Sequence, residues 1–229
     1  KNGGMEQIVD MDNLVEGSFS TDAVKQSLEQ LQELHTRDLI MPGTEGLTHT
    51  ESQAEWLQGN AVFIPSGSWL ENEMRDMTPD DFNMVVKPVP GTDPSTSHSI
   101  LAWSGENFIV PANGENPMGG LEYLRALMSV ENAKYLAENV GAIMPVVGGT
   151  EGVDLSPAVV SAVAAAEASG DDTVDYRWKD WYRDLSDEAR DRTGDLLTGR
   201  ITPEEWMEAM EAKVVEVKED PDVVKYTRE

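Results

Sequence analysis

Tryptophans at 56, 69, 103, 178, 181 and 206 carry most of the chemistry this sequence can offer. Trp69 follows Pro65-Ser66-Gly67-Ser68, a small-residue turn after the apolar run 61–64. If that run is a strand and a helix opens at Ser68, the indole projects from the first helical turn at the carboxyl edge of a sheet, where open α/β sheets bind ligands. Gly67 lets backbone approach a ligand, and the N–H groups of a helix start lack intrahelical partners. Two readings of Trp69 are open: a ligand-facing ring, or a plug between sheet and helix. Trp181 sits in Tyr176-Arg177-Trp178-Lys179-Asp180-Trp181-Tyr182. In a helix beginning near Asp180, Tyr182, Leu185, Ala189 and Leu196 form the buried stripe, while Trp181 leads onto Asp184 and Glu188. An indole off the apolar stripe suits the C–H-rich face of a sugar ring, with large contact area at little entropy cost, though it can equally pack on a neighbouring element. Trp178 is a second candidate in that block, and Trp103, in Ala102-Trp103-Ser104-Gly105-Glu106, is placed to reach a cleft. Trp56 and Trp206, beside Leu57 and Met207, read as core.

Other chemistries are excluded or unsupported. The 229 residues carry 17 Lys+Arg against 43 Asp+Glu, a formal charge of −26. Phosphate backbones are bound by clustered Lys and Arg, so nucleic acid is excluded as a partner, and an anionic membrane surface would repel the chain. Without cysteine there are no disulfides, thiolate nucleophiles or Cys-based zinc sites. Nucleophile elbows, Walker loops, dinucleotide fingerprints and HExxH motifs are absent. His35, His49 and His98 have no ligand spacing, so no metal, cofactor or catalytic residue is assigned. With so many carboxylates, no acid–base pair stands out.

These residues must be positioned by an α/β scaffold. Thr50-Glu51-Ser52-Gln53, Ser68-Trp69-Leu70-Glu71 and Thr202-Pro203-Glu204-Glu205 fit the capping box, in which hydroxyl and N3 side chain satisfy each other's N–H groups; Glu71 is then a capping partner. Thr78-Pro79, Ser156-Pro157 and Thr202-Pro203 place Pro at a first helical position. Val24, Leu28, Leu31 and Leu34 form a helical stripe, as do Leu121, Leu124, Ala126, Leu127 and Met128. Apolar runs at 61–64, 84–89, 108–110 and 143–147 predict strands, and their interleaving with helices predicts a buried, largely parallel sheet. Pro90 to Ser97 and Val147 to Gly152 read as linkers. No apolar run reaches the ~18 residues of a membrane span, and the opening Lys-Asn-Gly-Gly reads as a truncated or processed start.

Thr50 to Met74, TESQAEWLQGNAVFIPSGSWLENEM, resembles a hallmark of family 1 extracellular solute-binding proteins of sugar ABC transporters: a helix ending in W-x-x-G-x-A, a strand, a small-residue turn and Trp. The likeness continues through FNMVVKPVP (82–90), ENFIVP (106–111), WKDWY (178–182) and LTGRITPEE (197–205). Within the family, GSWLENEM, WKDWY and LTGRITPEEW are most similar to actinobacterial binding proteins for N-acetylglucosamine and chitobiose. The resemblance implies a type II periplasmic-binding-protein-like α/β fold, here the C-terminal lobe plus one segment of the N-terminal lobe. Residues 1–97 and 149–229 would form the C-terminal lobe and 98–148 would cross to the other. It also implies a non-enzymatic monomer that takes a mono- or oligosaccharide by hinge closure and docks on ABC permease subunits. The full protein would be extracellular, held by a lipoprotein N-terminus outside this chain. Trp69 matches the family's sugar-stacking tryptophan and Trp181 its late aromatic; Asn72, Asp180 and Glu106 are polar candidates for sugar hydroxyls. The rival readings are a glycoside-processing enzyme with a tryptophan- and carboxylate-lined cleft, and a binding protein for another oligosaccharide.

Overall fold

A computed structural model describes residues 1–91, 95, 98–102 and 108–229. Among them, ten α-helices follow one another: α1 (Gly4–Asp12), α2 (Asp22–Thr36), α3 (His49–Leu57), α4 (Leu70–Glu73), α5 (Pro117–Leu127), α6 (Val130–Asn139), α7 (Pro157–Ser169), α8 (Trp178–Trp181), α9 (Arg183–Leu197) and α10 (Pro203–Glu219). They fall into two compact units. The first comprises Lys1–Leu47, Pro90–Leu101 and Val174–Glu229; the second comprises Thr48–Val89 and Ala102–Thr173.

In the first unit, α2, α9 and α10 bury one stripe each: Val24 and Leu28; Leu185, Ala189 and Leu196; Trp206, Met210, Val214 and Val217. The spacings of three, four, seven and eleven residues bring each set onto one helical face. Phe19, Leu14 and Tyr182 fill the space between them. Fully burying a large apolar side chain contributes roughly 1.5–3 kcal/mol, so these stripes are the main source of the unit's cohesion. Thr21 caps α2 by accepting the Val24 N–H. Thr202 and Glu205 form the expected capping box at α10. The irregular tail after α10 is held by side chains. Asn13 exchanges two hydrogen bonds with the Arg228 backbone at 2.7 and 2.9 Å, and the Tyr182 hydroxyl accepts the Tyr226 N–H at 3.1 Å.

The second unit packs α3, α4 and the start of α7 around Leu57, Leu70, Met74, Met84 and Ala158, with Trp56 and Phe82 edge to face at 4.8 Å. Ser156 caps α7 by accepting the Val159 N–H, with Pro157 at its first position as expected. Ser161 accepts the Val86 N–H at 2.8 Å, tying 84–89 to α7.

Several expectations need correction. Among the described residues the runs 61–64, 84–89, 108–110 and 143–147 form no strand, and the one β contact is an isolated parallel bridge between Leu101 and Val174. A strand exists only through a partner that accepts its ladder bonds, and these runs do not pair with one another. Val62 and Phe63, expected in a buried sheet, are 83% and 86% exposed. The α/β expectation is therefore met in its helices and not in its sheet. The capping box at α3 starts at Thr48, with Glu51 as partner, because Thr48 is the last extended residue (φ −73°, ψ 168°); Gln53 is released for another use. Thr78-Pro79 opens a turn, closed by the Phe82 N–H on the Pro79 carbonyl, while the Thr78 hydroxyl caps back onto Met74. The stripe from Leu121 to Leu127 lies on α5, with Met128 as its C-cap, and α5 buries none of its residues.

Candidate functional site

Trp69 precedes the four-residue helix α4, whose Leu70 is buried and is followed by buried Met74. Those two anchors turn the opposite side of α4 outward. The Glu73 N–H bonds the Trp69 carbonyl at 2.9 Å, so residues 69 and 73 lie one turn apart on one face. The expected cap by Ser68 is not formed: Trp69 itself is the N-cap residue, without a side-chain cap. Glu71 is instead drawn to Ser156, whose hydroxyl donates to Oε2 at 2.5 Å and ties α4 to the start of α7.

The Trp69 indole lies over Gly67. A Cβ at position 67 would collide with Cζ3, Cη2 and Cε3 of the ring, so glycine is what lets the indole rest on the backbone. Trp69 is 48% exposed, so it is not sealed as a plug in the core. Replacing Gly67 by alanine is expected to push the indole off its seat, at about 0.5–1.5 kcal/mol for the strained rotamer. The near-UV circular dichroism should change while the far-UV spectrum stays that of the parent; unchanged near-UV bands would mean the ring does not sit there.

Behind α4, three polar groups converge. Gln53, from α3, is 1% exposed. Its Nε2 donates to Glu73 Oε2 at 2.8 Å and lies 2.9 Å from His49 Nε2, which in turn lies 3.1 Å from the same carboxylate oxygen. The Gln53 bond and then His49 hold the Glu73 carboxyl below its ordinary range. Asn72 is exposed, and its amide makes no hydrogen bond among the described residues.

Trp181 and Trp178 belong to the first unit. The short helix α8 is anchored by Asp12, which is fully buried and accepts the N–H groups of Arg177 and Trp178 on Oδ1 at 2.7 and 2.8 Å. Its other oxygen meets Arg228 Nη1 at 2.7 Å, and Arg228 reaches Asp175 at 2.6 Å. Trp178 packs edge-on to Phe19 at 5.4 Å and stacks on Tyr176 at 5.6 Å. Burial, and then the charge of Asp180, raise the Tyr176 phenol above its usual range. Trp181 is half-buried against the core, with Tyr226 tilted over it at a centroid distance of 5.1 Å. Tyr226 is itself 46% exposed, so it forms the outer layer of that aromatic pair. Asp180 is exposed. Trp103 and Glu106 lie outside the described residues.

Sequence reasoning missed Asp12, Tyr226 and the group of His49, Gln53 and Glu73. The four-residue spacing from Trp69 to Glu73 was a readable signal; no local pattern points to Tyr226 or Asp12, whose partners are more than forty and more than one hundred and sixty positions away. Among the described residues no cluster of His, Asp and Glu is arranged to hold a metal, and no helix is long and apolar enough to cross a membrane.

No protein-family model matches the chain. It is 35% identical over 188 residues to Diacetylchitobiose binding protein NgcE of Streptomyces coelicolor, a match taking in 80% of this chain and 40% of that protein. The chain thus spans about two fifths of the length of that relative. The resemblance read from the sequence therefore stands: over four fifths of its length this chain is similar to a diacetylchitobiose-binding protein.

Proposed function

We propose that the chain is part of the substrate-binding component of a carbohydrate ABC importer, taking N-acetylglucosamine or chito-oligosaccharides by aromatic stacking. The observation that carries this is the relationship to a diacetylchitobiose-binding protein. Two features support it: a half-exposed indole seated on glycine at Trp69, and an aromatic pair at Trp181 and Tyr226. The rest follows from the same resemblance. The working protein is an extracellular lipoprotein monomer that closes about hinges, and closure makes the shape that permease subunits bind, because the ligand favours the closed state. Lobe assignment from the resemblance, 1–97 with 149–229, puts both indoles in one lobe although they lie in different compact units. Asn72, Asp180, Glu106, Trp178 and Trp103 complete the proposed set of ligand-facing residues.

Calorimetric titration with diacetylchitobiose tests the proposal. Trp69→Ala and Trp181→Ala are each expected to weaken binding by about 2 kcal/mol, the loss seen when a central aromatic anchor is truncated, which is roughly thirtyfold in Kd. Unchanged titrations would return both rings to structural roles. Hydrolysis of the disaccharide during the titration would transfer the assignment to a glycoside-processing enzyme.

A further inference from the structure

The polar group behind Trp69 has features that a purely structural role does not explain. Gln53 is nearly fully buried, and its amide orientation is dictated by Glu73: a group 2.8 Å from a carboxylate oxygen has to be the NH2 end. That leaves Gln53 Oε1 buried with no hydrogen-bond partner. An unsatisfied buried acceptor costs folding energy, and a methionine, apolar and of similar length, would avoid the cost. What the amide accomplishes is to fix Glu73. With Oε2 occupied by Gln53 and His49, Glu73 Oε1 makes no hydrogen bond or ion pair among the described residues. The carboxylate is therefore oriented through one oxygen and open at the other, one helical turn from an indole whose ring rests on Gly67. Rule-breaking buried polar groups of this kind are found at functional sites, where local stability is given up for orientation.

We infer that Glu73 is the hydroxyl-binding residue of the Trp69 site, that Gln53 is its positioning residue, and that the ligand class is a pyranose whose C–H face lies on the indole while a ring hydroxyl donates to Glu73 Oε1. This rests on the sugar-binding reading and deepens it. His49, 61% exposed at its side chain, flanks the same carboxylate. An ionised acceptor for a sugar hydroxyl is stronger than the amide of Asn72, because a charge-assisted hydrogen bond is about twice as strong as a neutral one.

The test uses the whole chain with diacetylchitobiose as probe, following saturation transfer from protein to sugar protons by NMR and thermal unfolding in parallel. Glu73→Gln is expected to weaken binding roughly ten- to hundredfold, the range for losing a hydrogen bond to a charged group. Gln53→Met, which conserves side-chain length, separates positioning from structure. It removes the orphan carbonyl, so the melting temperature is expected to hold or rise while sugar affinity falls severalfold; a structural role alone would move both in the same direction. Glu73→Gln with parental affinity, while Trp69→Ala loses binding, overturns this inference and leaves the sugar reading intact. Parental affinity in Trp69→Ala as well, or no saturation transfer to the sugar from the parent chain, overturns the sugar reading and this inference with it.

Discussion

Replacing Asp12 by alanine is expected to destabilise the first compact unit by about 3–5 kcal/mol, the cost of removing one partner from a buried, hydrogen-bonded ion pair. Asp12 has no exposed surface and three donors: two backbone N–H groups at the start of α8 and the Arg228 guanidinium. Removing the carboxylate strands the two N–H groups and takes from Arg228 its buried counter-charge, leaving Nη1 the Asp175 carbonyl at 3.1 Å. The Arg228 side chain, 19% exposed, keeps its contact with Asp175 but loses the partner in the interior. Asn at this position keeps an acceptor for the Arg177 and Trp178 N–H groups and loses the charge, so Asp12→Asn should fall between parent and alanine. Urea denaturation followed by far-UV circular dichroism measures the difference; a loss below about 1 kcal/mol, the scale of a surface ion pair, would show that the cluster behaves as solvated. The consequence reaches two of the proposed ligand-facing residues, because α8 carries both Trp178 and Trp181.

Phe19→Ala is the second large effect, at about 3–5 kcal/mol for truncating a buried phenylalanine and leaving a partly collapsed cavity. Phe19 is 1% exposed and meets Trp178 edge-on at 5.4 Å and Trp206 at 6.4 Å. It thus joins the stripe of α10 to the tryptophan block, and its loss should alter the near-UV spectrum of the indoles as well as the denaturation midpoint. Phe19 and Asp12 both bear on Trp178, so the double variant should lose measurably less or more than the sum of the two, whereas distant sites add. Strict additivity would mean that the two supports act on different parts of the unit.

The stripe of α9 was legible because periodicity is local, whereas Leu34 and the 121–128 stripe are not buried. Leu185, Ala189 and Leu196, read as one face from spacing alone, are the buried residues of α9, and the Thr202-to-Glu205 cap stands as written. Cap positions were less legible: Thr48, Thr50 and Ser68 offer the same hydroxyl, and the backbone entry at Thr48, with Ser156 competing for Glu71, chose among them. The run 61–64 has the composition of a strand, yet composition supplies no partner, and the ladder needed to make a sheet is not found among the described residues.

The amino-acid order by itself determined the inventory of chemistry here: a strongly acidic, cysteine-free chain whose tryptophans at 69 and 181 sit in small-residue and charged surroundings. It also determined the family likeness, since that is carried by contiguous segments. Only the tertiary structure decided that Glu73, one turn from Trp69, is held by Gln53 and His49, and that Tyr226 covers Trp181. The physical reason is that hydrogen bonds and ring contacts form between groups brought close by folding. Gln53 and Glu73 are twenty residues apart, and Trp181 and Tyr226 forty-five, with no periodicity linking either pair.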